Sequence, residues 1–210
     1  MTGTERPVRI PCGEIALEGL FSPPAQPGGP AVVVCHPHPL YGGDMHNNVV
    51  AGVCRSVRAQ GWAVLRFNFR GVGRSGGGHG GGEAETADVA AALGWLAATV
   101  GPVPVFLAGY SFGAWVGSRA ALRGAGLTGF AAVAPPLALY PMGELARLDL
   151  PRLVVAGGCD AYCPPDRLDA WLAGASGRVE VARIPTADHF FVGLEGEVGE
   201  AVAGFFRRIL

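Results

Sequence analysis

The chain has 210 residues, half of them hydrophobic, with sixteen basic and seventeen acidic residues and a formal net charge of −1. That length and apolar content suit one compact domain over residues 1–210 with a substantial buried core. The near-neutral balance gives no basic surface for nucleic acid and no polybasic segment for anionic lipid. No apolar stretch is long enough to span a bilayer, and Met1 to Pro7 lack the charged-then-apolar form of a signal peptide. The expectation is a cytoplasmic protein with neither membrane nor nucleic-acid partner. All sixteen basic residues are arginine, which excludes a Schiff-base lysine, a Ser-Lys dyad and a P-loop lysine.

Taken in chain order, residues 8–10 and 14–21 predict a hairpin turning at Gly13, followed by a loop from Pro23 to Pro30. Ala31–Cys35 is wholly apolar, the form of a strand buried on both faces. Val49, Val53 and Val57 recur every four residues and predict a helix over residues 48–60. A strand at 63–69 and a helix at 84–99 follow, then a strand at 103–108 and a helix at 111–122. Strands at 130–134, 152–156 and 179–184 come next, and a last helix carries Val198, Val202, Phe205, Phe206 and Ile209. Alternating strands and helices predict a mostly parallel sheet covered on both faces.

The strand at 103–108 runs into Gly109-Tyr110-Ser111-Phe112-Gly113, a G-x-S-x-G set between a strand and a helix. This is the sequence form of a nucleophile elbow, a sharp turn that lifts a serine hydroxyl out of the sheet. The glycines are mechanical, because side chains two residues either side of the serine would meet the neighbouring strand or helix. The turn also leaves the N–H of Phe112 at a helix N-terminus, free to bind developing negative charge.

A serine of this kind takes an acid and then a histidine from the ends of later strands. Asp160 follows the strand at 152–156, and His189 follows the strand at 179–184. His189 is the only histidine beyond His79. Asp166, at the start of a helix after Pro164-Pro165, and Asp188, beside the histidine, are the alternatives for the acid.

Three blocks carry a resemblance: His36-Pro37-His38-Pro39-Leu40-Tyr41-Gly42-Gly43, Asn68-Phe69-Arg70-Gly71-Val72-Gly73-Arg74-Ser75, and the elbow. From Val8 to Ile209 the chain resembles an α/β-hydrolase. The first block resembles the H-G-x-x-G loop after the third strand, with Pro37 where glycine is more usual, and its H-P-H-P-L-x-G-G form is similar to a group of small, capless bacterial members. The second resembles the R-G-x-G-x-S loop after the fourth strand. The resemblance implies an α/β-hydrolase fold of about eight strands, helices on both faces and no lid domain. It implies acyl transfer on a small-molecule acyl substrate, an ester or thioester, without a cofactor. Ser111 would attack the carbonyl, His189 would move the proton, and Asp160 would orient the imidazole. The oxyanion hole would join the N–H of Phe112 to one from the loop after Cys35, which the family motif places at His38, with Leu40 as the fallback. A perhydrolase or acyltransferase would use the same residues, and a non-catalytic hydrolase-like binding protein is a further alternative.

Rival readings are weaker. His36, His38, Asp44 and His46 cluster like metal ligands, but the prolines and Gly42-Gly43 read as a shaped backbone loop, so no metal is expected. Gly71-Val72-Gly73-Arg74-Ser75-Gly76 fits a dinucleotide fingerprint, yet glycines 77, 78, 80, 81 and 82 follow in place of a helix, and no carboxylate lies near Leu96. That tract reads as a mobile loop near the site entrance or a flexible linker. The five cysteines match no zinc or redox spacing and read as buried free thiols, with a redox role conceivable for Cys159 and Cys163. The connection from Pro135 to Pro151 has room only for a turn and a short helix, so a shallow, open site is expected, walled by Tyr41, Trp115, Leu137 and Tyr140.

Overall fold

The apolar run 31–35 forms the strand around which the sheet is laid out. The computed structural model describes residues 4–124 and 126–210. In chain order its elements are β1 (Arg6–Cys12), β2 (Ile15–Ser22), β3 (Ala31–Cys35), a 3-10 turn (Pro39–Tyr41), α1 (Asn48–Ala59), β4 (Ala63–Phe67) and α2 (Glu83–Val100). There follow β5 (Val105–Tyr110), α3 (Phe112–Leu122), β6 (Gly129–Val133), α4 (Gly143–Arg147), β7 (Arg152–Gly157), α5 (Pro165–Gly174), β8 (Val179–Ile184) and α6 (Glu195–Arg208).

The strands make one sheet in the order β1-β2-β4-β3-β5-β6-β7-β8. The hairpin β1–β2 and the β2–β4 pair are antiparallel, and every pair from β4 through β8 is parallel. Parallel strands lie between two helical layers and must be apolar on both faces. β3 shows this directly: Val33 and Cys35 join the core under α2 and α3, while Val32 and Val34 join the one under α1 and α6.

Chain order sets the position of the site. After β3 the chain crosses to β4 on one side, then returns to lay β5 on the other. The carboxyl ends of β3 and β5 therefore flank a topological switch point, where open α/β sheets bind ligands in the crevice beyond the strand ends.

Several boundaries differ from those the sequence predicts. β4 gives out after Phe67: Asn68 N still reaches Glu18 O of β2 at 2.8 Å, but Phe69 N turns away to His36 Nε2 at 3.0 Å. β5 starts only after Pro104, which has no N–H to give a ladder, and it runs on to Tyr110. α6 starts at Glu195, three residues before the first residue of its apolar face. The connection from β6 to β7 holds only the five-residue α4, so no lid covers the sheet end. Buried Arg152, at the start of β7, secures it by donating Nη1 to Leu145 O at 2.7 Å and Ala146 O at 2.9 Å, and Nη2 to Ser176 O. No helix among the described residues is long and apolar enough to cross a membrane.

Candidate active site

Ser111 occupies the turn between β5 and α3 with φ 53° and ψ −115°, a conformation that costs a non-glycine residue about 1–3 kcal/mol. Its surroundings enforce it. Ser111 N donates to Val133 O at 2.8 Å, and Ser111 O accepts from Ala114 N at 2.9 Å and Trp115 N at 3.2 Å. A Cβ on Gly109 would fall 2.4 Å from Gly113 O, and one on Gly113 would fall 2.6 Å from Cys35 O. The elbow therefore closes only with glycine at both positions.

Three side chains from three loops meet above this turn. Ser111 Oγ lies 2.9 Å from His189 Nε2, and His189 Nδ1 lies 2.8 Å from Asp160 Oδ2 and 3.0 Å from Oδ1. Asp160 is buried at the end of β7, and its Oδ1 also accepts the N–H groups of Tyr162 at 2.8 Å and Cys163 at 2.9 Å. With Nδ1–H turned to a carboxylate, the lone pair of Nε2 faces the serine hydroxyl. The other two candidate acids serve elsewhere: Asp188 Oδ1 accepts from Phe190 N at 2.9 Å, and Asp166 lies in the first turn of α5.

The loop after β3 spends its donors on itself. Leu40 N donates to His38 Nδ1 at 3.2 Å, Tyr41 N and Gly43 N to His38 O at 3.1 and 3.0 Å, and Gly42 N to Pro39 O at 3.3 Å. Pro37 and Pro39 have no N–H. Among residues 37–43 this leaves the N–H of His38 and removes Leu40 as the fallback. Across the switch point stands the N–H of Phe112, in the first turn of α3 where no intrahelical acceptor exists.

Aromatic side chains wall this end of the sheet. Tyr140 stacks on Trp115 with ring centroids 4.1 Å apart and lies 6.3 Å from Phe112. Trp115 is almost buried beneath Tyr140, so it supports the wall, while Tyr41 stands out at the rim and Leu137 is half-buried behind. Tyr162 and Phe190 put ring edges against His189 at 4.7 and 5.8 Å. With Leu40, Tyr41, Leu139 and Val192 they make an exposed apolar rim on the loops after β3, β6, β7 and β8.

Comparison with known proteins bears on this arrangement. The hydrolase family described as serine aminopeptidase, S33, matches residues 29–145, from the approach to β3 through the elbow into α4. The chain belongs to this family of α/β serine hydrolases. Its similarity extends over the whole fold. A solved structure of an alpha-beta serine hydrolase homologue from Coxiella burnetii superposes with a TM-score of 0.87 at 32% identity, covering 97% of each chain. XC6422 from Xanthomonas campestris, described as an a/b serine hydrolase without lid, gives a TM-score of 0.87 at 30% identity over 98% of this chain and 95% of its own. Protein RP471 of Rickettsia prowazekii is 32% identical over 202 residues, 92% of this chain and 85% of its own length.

The hydrolase uses its other motifs structurally. Both ring nitrogens of buried His36 are engaged: Nδ1 lies 2.6 Å from Pro37 O, and Nε2 accepts from Phe69 N. Asp44 Oδ1 accepts from His46 N at 2.7 Å. The glycine loop at 71–76 closes on itself through Gly71 N to Gly76 O at 3.1 Å, and no helix opens until Glu83. The tract that follows is not a linker: Gly80 N and Gly82 N both donate to the buried carboxylate of Glu85 at 2.7 Å. Among the thiols, Cys35, Cys54 and Cys163 are buried, but Cys159 is exposed beside Asp160 and Cys12 is half-buried. Sequence reasoning missed the contacts of Tyr110 and Tyr162, which reach His189 from other elements, and of Phe190, the next residue, whose ring turns back on the base.

Proposed function

We propose that this hydrolase cleaves a small, neutral carboxylic ester or thioester through an acyl-enzyme on Ser111. The observation that carries the reading is the continuous line Asp160–His189–Ser111, with contacts of 2.8 and 2.9 Å, above a strained elbow. His189 Nε2 takes the hydroxyl proton as Ser111 Oγ attacks the carbonyl carbon, and the tetrahedral oxyanion forms between the N–H groups of Phe112 and His38. The oxyanion collapses to the acyl-enzyme as His189 returns the proton to the leaving group. Water then repeats the attack, with His189 again as base. Asp160 holds the ring with Nδ1–H inward and stabilises the imidazolium.

The substrate class follows from the rim. Without a lid, a long chain finds no covered tunnel, whereas the aromatic surfaces of Tyr140, Tyr162 and Phe190 favour uncharged groups on either side of the carbonyl.

The test is hydrolysis of p-nitrophenyl esters from acetate to octanoate by the native protein and Ser111→Ala, with and without chelator. Native activity should resist chelator, peak at the shorter chains, and fall by at least about a thousandfold in the variant. Undiminished activity in Ser111→Ala would overturn the mechanism, and a preference for octanoate would overturn the open, short-chain site.

A further inference from the structure

The glycine tract sets one side chain against both residues proposed above to supply the oxyanion N–H groups. The ring centroid of His79 lies 5.0 Å from that of His38 and 5.7 Å from that of Phe112, and those two rings lie 4.7 Å apart. The three rings close a triangle over the gap between the loop after β3 and the start of α3. His79 also packs beside a buried acid. Its Nδ1 lies 3.0 Å from Oε1 of Glu85, a carboxylate with no solvent exposure in the first turn of α2, in close contact but outside hydrogen-bond geometry.

Glu85 is built to remain charged there. Burial opposes its ionisation, but the N–H groups of Gly80 and Gly82, its own N–H and the neighbouring His79 outweigh that cost and hold its carboxyl below the ordinary range. The tract fits tightly around this anchor. Gly82 has φ 104°, and a Cβ there would fall 2.4 Å from the Trp115 ring. Glycines that free the chain as a spacer would not need such a fit. Here they allow a tight path from Glu85 to His79.

We propose that His79, placed by the glycine tract that Glu85 fixes, is a positioning residue whose ring holds the His38 loop against Phe112 and so sets the spacing of the two oxyanion donors. The proposal rests on the reading above, in which the N–H groups of His38 and Phe112 bind the oxyanion. The two donors differ in how they are held. Phe112 is buried and fixed by the elbow, while His38 rides on a half-exposed turn between two prolines. A donor aimed at developing charge loses much of its effect when displaced by a fraction of an ångström, and loss of one donor outright costs about 10²–10³ in rate. A ring braced against both residues limits that displacement.

The experiment compares His79→Ala and His79→Phe with the native enzyme on p-nitrophenyl acetate. It also measures inhibition by an alkyl boronic acid, which adds to Ser111 as a tetrahedral anion and places an oxygen in the hole. His79→Ala should lower kcat by about tenfold with KM within about twofold, and should weaken the boronic acid by the same factor. His79→Phe restores the ring contacts without the Glu85 contact and should recover most of the loss. The His79 side chain is mostly buried, so the melting temperature of each variant is measured and kcat is compared at a temperature where all three proteins are fully folded. An unchanged kcat in His79→Ala would overturn the proposal. So would a raised KM at constant kcat with unaltered boronic acid affinity, or a Phe variant as slow as the Ala variant. Ser111→Ala separates the two levels: retained activity there sinks the underlying mechanism, whereas an inactive Ser111→Ala beside a neutral His79→Ala sinks only the brace.

Discussion

The hydroxyl of Tyr110, the residue just before Ser111, donates to the backbone carbonyl of His189 at 2.8 Å in the interior. The elbow thus grips the loop that carries its own base. Burial, reinforced by the charges of Asp160 and Asp188, pushes the phenol well above its ordinary range, so it stays a neutral donor. Tyr110→Phe keeps the ring and orphans a buried carbonyl. It should cost about 1–2 kcal/mol of stability in urea unfolding. It should lower kcat by roughly three- to tenfold with little change in KM, because His189 loses alignment and not proton affinity.

Asp160 and Asp188 are neighbours of the same histidine, one in space and one in sequence, and their variants should behave differently. Asp160→Asn presents an amide to His189 Nδ1 and removes the charge that favours the imidazolium, so kcat should fall by about 10³–10⁴. Asp188→Asn retains an acceptor for Phe190 N and should keep activity within about threefold. Steady-state kinetics on one ester decides both. Equal losses would mean that the 2.8 Å contact to Asp160 does not orient the base.

Much of this was legible from residue order. Buried strands announce themselves as apolar runs such as 31–35, and the order serine, acid, histidine along the chain fixes which strand ends they follow. α5 was harder, because it buries only Leu168 and so has almost no apolar face to read. The wall around the base was not legible. Tyr110 meets His189 across 79 positions of sequence and Tyr162 reaches it from another loop, and nothing local to either signals the meeting. The glycine tract misled for a related reason: composition reads it as loose, while the carboxylate that fixes it stands in the next helix.

The elbow glycines allow a paired test of close approach against conformational freedom. Gly113→Ala drives a Cβ to 2.6 Å from Cys35 O on the central strand, and neither backbone can yield without moving the serine. It should destabilise the fold by about 2–4 kcal/mol. Gly94, on the exposed side of α2, has nothing within 4 Å of such a Cβ. Gly94→Ala should stabilise by about 0.5–1 kcal/mol through helix propensity and a less free unfolded chain. Urea midpoints at fixed pH measure both signs.

His36 makes stability depend on pH apart from any catalytic titration. Burial pushes its imidazole down to about 4, with the charge on His38 adding to that and the Pro37 carbonyl and Asp44 opposing it. Its Nε2 accepts the N–H of Phe69, so protonation would set a donor against a donor. In the unfolded chain the same imidazole titrates at its ordinary 6.5. Above that value both states are neutral there and the stability is fully present. As pH falls below it the unfolded chain takes up a proton that the folded protein refuses, and stability declines until the folded ring titrates near 4. At about 1.4 kcal/mol per pH unit the loss across that window is about 3 kcal/mol. Buried carboxylates such as Glu85, lowered from an ordinary 4.5, add their own loss only below that value, so the window above it belongs to histidine. The urea midpoint should fall steadily from pH 6.5 to pH 4.5, and the His36 ring signals in NMR should stay near their neutral positions to about pH 5 and begin to move only as pH approaches 4. A His36 resonance titrating near 6.5, or a midpoint flat across the window, would refute this account.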